Sequence, residues 1–183
     1  MVFLQKFREN IGLRLLKKKV KRTFRKKAFN NFDTAKNIGI LFNASKQDDL
    51  LQTNLFIQEL KDLGKEVSAL GVVELEKQIS FYEVNDNIKY FATEKTNFCC
   101  YPKSANVEHF IAQPFDIMIN LSTIEPIAID YIMGNSKAVF KVSKRLRSDD
   151  FVDFILDFGQ GKNPQTTEII TKIKEYLSAL TKA

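Results

Sequence analysis

From about residue 34 onward, apolar runs of strand length alternate with amphipathic stretches of helix length. That rhythm is the signature of a three-layer, Rossmann-like α/β domain with a mostly parallel sheet of five to six strands. Two further observations set the rest of the frame. "NIGILFN" (37–43), "DDLLQTNLFIQELKDLG" (48–64) and "EVSALGVV" (66–73) form a compact strand–helix–strand unit, and the crossover of such a unit is right-handed. Ahead of the domain stands a long basic amphipathic helix. The expected division is therefore a helical arm, residues 1–30, and a single α/β domain, residues 34–183.

In the arm, apolar residues recur near every fourth position: Phe3, Phe7, Ile11, Leu15 and Leu16, Val20, Phe24, Ala28. This spacing draws one stripe along a helix from Phe3 to about Ala28. "NNFD" (30–33) breaks it before the domain starts. "NIGILFN" is an apolar run ending in turn formers and reads as a buried strand. Ser45 then offers an N-cap, with Asp48 three residues on in capping-box spacing, and Gly64 stops the helix that follows. "ISFYEV" (79–84) and "IKYFA" (88–92), joined by "NDN", read as a hairpin or two edge segments. "TNFCCYPKSANVEHFIAQP" is aromatic and loop-rich, with "NFCCY" an edge strand and a short helix near 104–112. "FDIMINLS" (115–122), "AVFKVS" (138–143) and "FVDFILDF" (151–158) read as strands. "EPIAIDYIMGNS" (125–136) is a helix with Pro126 at its first position. Residues 165–181 close the chain as an amphipathic helix.

Charge divides along the same boundary. Residues 1–30 hold eleven Lys and Arg against the single acid Glu9, whereas the remainder holds 17 basic and 21 acidic side chains. The overall +6 averages two regions of opposite sign. Adjacent Cys99 and Cys100 cannot staple distant segments, and no Cys/His spacing suggests a metal, so reduced thiols are expected. No charge-free run approaches the ~20 residues that cross a bilayer, and Lys6, Arg8, Glu9 and Arg14 interrupt any signal-peptide core. The expected setting is cytoplasmic, with peripheral attachment at the inner face of the membrane as an option.

Ligands of open parallel sheets lie beyond the carboxyl ends of the strands. Those ends place Asn43, Ser45, Asn120, Ser122, Thr123, Lys144 and Arg145 as crevice candidates. N–H groups after Asn120–Thr123 would receive an anion, with Lys144 or Arg145 as counter-charge. The first loop, however, has neither GxGxxG nor GxxxxGK, and Asp48 and Asp49 would repel phosphate there. His109 is the sole histidine, in an apolar setting without a nucleophile pattern. Cys99 reads as a small apolar residue, and the neighbouring pairs Asp48–Asp49 and Asp149–Asp150 face different ways. No catalytic residue, cofactor or metal site is assigned.

The arm is the stronger signal. Phe3, Phe7, Ile11 and Phe24 form its apolar side. Arg8, Arg14, Lys17, Lys18, Lys19, Lys21, Arg22, Arg25, Lys26 and Lys27 supply its charge. Such a helix suits an anionic membrane surface, nucleic-acid or ribosomal phosphates, or packing on a protein partner or a second copy. As an appendage it is expected to be dispensable for folding.

"KNIGILFNASKQDDLLQTNLFIQELKDLGKEVSALGVVE" together with "FDIMINLSTIEPIAIDYIMGNSKAVFKVSKR" resembles an uncharacterised bacterial family, chiefly from Bacteroidota, known only as a domain of unknown function. That resemblance implies the same fold and a bacterial cytoplasmic setting, and no activity. Phe115–Ser122 and Ser136–Lys144 are also similar in pattern to the N-terminal acceptor-side domain of heptosyltransferase-like glycosyltransferases. The glycine-rich first loop of those enzymes is missing here, and their donor-binding domain has no counterpart, so this similarity implies a Rossmann-like half alone. The resulting expectation is a non-catalytic adaptor or scaffold, with a small nucleotide- or sugar-phosphate-binding domain or enzyme at the crevice as the rival.

Overall fold

The computed structural model describes residues 2–82, 87–159 and 162–179. Six strands form one sheet: β1 (Asn37–Asn43), β2 (Glu66–Val73), β3 (Ile88–Ala92), β4 (Ile117–Asn120), β5 (Phe140–Lys144) and β6 (Phe154–Leu156). Their order is β3-β2-β1-β4-β5-β6 and every pairing is parallel. The helices are α1 (Val2–Arg22), α2 (Gln47–Asp62), α3 (Ala105–Ala112), α4 (Ile127–Asn135) and α5 (Thr166–Ala179).

Burial on both sides explains why the central strands are apolar almost throughout. Ile38, Ile40 and Phe42 of β1 point into one core beneath α2 and α5, while Leu41 points into a second core with α1, α3 and α4. The chain winds outward from β1 in one direction to β3, then returns to β4 and proceeds to β6. β1 and β4 are therefore neighbours at the point where the winding reverses, the usual ligand position in doubly wound sheets.

Gly64 behaves as its place in the sequence suggests. It adopts φ 75°, its N–H reaches Lys61 O, and the N–H of Lys65 reaches Leu60 O, closing α2 with two of its orphan carbonyls satisfied. Other local readings are corrected. Ser45 is not the cap of α2: Lys46 holds that position without a side-chain bond. The Ser45 N–H instead bonds Asn43 Oδ1 at 3.0 Å. The hairpin does not form, because Glu76–Phe81 is a 3-10 turn and 88–92 pairs parallel to β2; residues 83–86 lie outside the described residues. "NFCCY" is a loop. Asn97 Oδ1 accepts the N–H groups of Cys99 and Tyr101 at 2.8 and 3.1 Å, and Cys100 sits at φ 60°. Such a turn competes successfully with the strand preference of its aromatic residues.

Helix α1 runs parallel to α4 and lies directly on it. Gly12 faces Ile127 at the start of α4, and Val20 and Leu16 face Gly134 near its end. Leu16 is 1% exposed. Gly12 is required for the contact, since a Cβ there would stand 2.3 Å from the Cys99 carbonyl oxygen. Tyr101 donates its hydroxyl to Gly12 O at 2.6 Å. Beyond the helix, Arg25 turns inward, donating to Ala138 O and Val139 O and forking onto Asp153 at 2.5 and 2.7 Å.

Candidate functional site

At the winding reversal, the polar side chains bond to one another. Asp49, buried on α2, accepts hydrogen bonds from Asn43 Nδ2 (3.0 Å), Thr123 Oγ1 (2.7 Å) and Thr166 Oγ1 (2.8 Å). One carboxylate thus ties the end of β1, the β4–α4 loop and the first residue of α5. Asn120 Nδ2 donates to Ser143 Oγ at 3.0 Å, its Oδ1 accepts the Ser122 N–H at 3.0 Å, and Ser122 Oγ donates to Ile124 O. Of the candidates, Asn43 and Thr123 meet around Asp49, and Asn120 and Ser122 form a second group. Ser45 Oγ is buried and makes no hydrogen bond among the described residues.

The two cations of the crevice diverge. Lys144 is buried and pairs with Glu125 at 2.9 Å. Arg145 is exposed and pairs with Asp149 one helical turn on. Arg147 is the residue that reaches back into the fold, bonding buried Asp130, whose carboxyl is pushed above its ordinary range by burial. Alternation along β5 points to residue 145 only if the strand continues, and it ends at Lys144.

Asp49 has no signature in the sequence, because its partners lie six residues before it and 74 and 117 residues after it. Asp49→Ala would leave Asn43, Thr123 and Thr166 without their shared acceptor. We expect a loss of about 3 kcal/mol in urea titration, the scale for buried groups that lose a charged partner. A change within 0.5 kcal/mol would show the three groups to be solvated.

His109 is exposed on α3. Burial raises the Cys100 thiol above its ordinary pKa, the opposite of an activated nucleophile. Among the described residues no cluster of His, Cys, Asp and Glu has the arrangement of a metal site.

The outer surface of α1 is different. With Gly12, Leu16 and Val20 turned to the domain, the opposite side presents Phe3, Leu4, Phe7 and Leu15, which are 50–87% exposed, with Ile11 half-buried among them. Phe98 stands alongside, 59% exposed, beneath the Arg8 guanidinium 5.5 Å from its ring centre. Arg8 also donates to Phe98 O and Asn97 O, so it serves the loop rather than the solvent. Arg14, Lys18, Lys19 and Arg22 are exposed, and Lys17 is half-buried. Lys21 pairs with Asp150 and Lys27 with Asp153. Phe24, 95% exposed, and Lys26 follow in the linker. The sequence stripe is thus split: Leu16 and Val20 pack inward, whereas Phe3, Phe7 and Phe24 do not.

A family model matches residues 8–180, nearly the whole chain including most of α1. The chain belongs to DUF6913, a family of unknown function. No curated protein matches the chain. DUF6913 membership carries no activity, so function has to be argued from the surfaces described above.

Proposed function

We propose that this DUF6913 protein is a non-catalytic adaptor that lies on an anionic membrane surface through the outer face of α1. The observation that supports this reading is the set Phe3, Leu4, Phe7 and Leu15, which the fold leaves uncovered while it uses the opposite side of the same helix. Arg14 and Lys18 share that outer face at helical spacing, and they match the charge of an acidic lipid surface. An interfacial helix combines these two properties. Each aromatic or aliphatic side chain taken up contributes roughly 1.5–3 kcal/mol, and each cation roughly 1 kcal/mol. No described helix is long and apolar enough to cross a membrane, so attachment would be peripheral. The internally paired crevice supports the non-catalytic part of the proposal.

Full-length protein should co-sediment with vesicles containing phosphatidylserine, and less so as salt rises. Phe3→Ser combined with Phe7→Ser preserves the charge and the packed side of α1. It should weaken vesicle binding about a hundredfold or more, the equivalent of two buried aromatics. Undiminished binding by the double variant would defeat the reading. Preference for RNA over vesicles would transfer the helix to nucleic acid, and binding to neither would make its outer face a protein contact.

A further inference from the structure

At the opposite end of the sheet from the crevice, a cleft of about 640 Å³ opens between the end of α1, the linker 23–27 and the turn 134–137. Its lining includes seven cations and one acid, Asp150, although the domain outside the arm is net acidic. Some of these charges have structural work. Arg25 is spent on Asp153 and two carbonyls, Lys21 pairs with Asp150, and Lys27 with Asp153. Arg22, Lys26 and Lys137 have no acidic partner among the described residues. Lys141 is part of the lining yet 2% exposed, and its ammonium donates to Met133 O at 2.5 Å near the end of α4. Asn135 and Ser136 add polar groups beside it.

We propose that this cleft binds a phosphate ester carrying at least two negative charges, held by Arg22, Lys26 and Lys137 above Lys141. Three unneutralised cations around a concave space are what multiply charged oxyanions require, and no single carboxylate would balance them. The volume accommodates a ligand of nucleotide size. Lys141 is pulled down to about 7, chiefly by burial and to a lesser degree by Arg25 and Lys27, with Asp153 pulling the other way. A dianion bound beside Lys141 would favour its charged form. The same chemistry is offered by a soluble phosphate compound and by a lipid headgroup with a terminal phosphate. Neither depends on the outer face of α1, so this inference stands apart from the membrane proposal.

The probes are pyrophosphate and ATP, titrated calorimetrically into full-length protein, and vesicles doped with phosphatidate or with phosphatidylserine at equal surface charge. Lys26→Glu with Lys137→Glu, both at exposed positions, should retain the wild-type melting temperature and weaken binding at least tenfold. Arg14→Glu with Lys18→Glu makes the same charge change outside the cleft and should alter pyrophosphate and ATP binding, and the preference for phosphatidate over phosphatidylserine, less than twofold. Phe3→Ser with Phe7→Ser should leave pyrophosphate binding intact whatever it does to vesicle binding. Pyrophosphate or ATP binding lost only in the cleft variant supports a soluble ligand. A phosphatidate preference lost only in that variant supports a headgroup. Equal losses of pyrophosphate or ATP binding, or of the phosphatidate preference, in both charge-reversal variants would overturn the proposal, as would the absence of pyrophosphate and ATP binding together with no preference for phosphatidate.

Discussion

A chain beginning at Phe32 will melt about 10–20 °C below the full-length protein, or fail to fold cooperatively. Removing α1 and the linker strips away Leu16, a fully buried leucine contributing about 2–3 kcal/mol. It also removes Arg25 and Lys27, leaving Asp153 with the Lys141 N–H as its remaining hydrogen-bond donor among the described residues. Breaking one side of a poorly exposed ion pair costs about 3–5 kcal/mol. Together these losses rival the whole stability of an average domain. A difference of 1 kcal/mol shifts the midpoint of a chain this size by about 2–4 °C. Leu16→Ala, in the intact chain, should alone cost about 2–4 kcal/mol. A shortened chain melting within a few degrees of the full protein would mean that α1 rests on the domain without supporting it.

The second large effect depends on pH. Burial, followed by Arg25 and Lys27, lowers Lys141 from 10.5 to about 7, with Asp153 pulling the other way and Met133 O accepting a hydrogen bond from its Nζ. Between those two values the unfolded chain binds more protons than the folded one, so stability rises with pH across that window. Below pH 7 the folded protein carries the buried charge at full cost. Above about 10.5 Lys141 is neutral in both states and the cost is gone. Lys141→Met lacks this contribution. Its stability relative to wild type should therefore fall by an amount on the order of 4 kcal/mol between pH 6 and pH 10.5, at 1.36 kcal/mol per unit. Urea titrations of both proteins at pH 6, 8 and 10 measure that difference, and effects common to both cancel. Parallel curves would show that Lys141 titrates normally.

Lys141 also shows where sequence reasoning runs short. "FKVSK" alternates apolar and polar residues, which suggests a strand with one wet face. In an all-parallel sheet both faces are covered, and Lys141 and Ser143 are buried with the rest. The alternation was legible; the cover of α4 and the linker was not. β1 and β4 were legible because unbroken apolar runs need two packed faces, and α2 because Gly64 can take the φ that ends it. The cysteine loop was obscured because one Asn97 side chain outweighs the strand preference of its neighbours. Asn43, Asn120 and Thr123 were found from the general position of ligands in such sheets. Asn43 and Thr123 meet through Asp49 of α2, which also holds Thr166 of α5, and no local pattern connects those residues to β1.

The parallel seating of α1 on α4 has a consequence for the order in which this chain is made. The ribosome releases α1 first, but Ile127 and Gly134, the surface that receives it, come more than a hundred residues later. Until then Leu16 and Val20 are as bare as Phe3 and Phe7, so the nascent helix is apolar on two sides. Contacts of such long sequence separation form slowly, and uncovered apolar surface invites aggregation while they do. Synthesis therefore passes through a stage at which α1 has no place on its own domain, and whatever shelters it then must let go of the Leu16 side when α4 arrives.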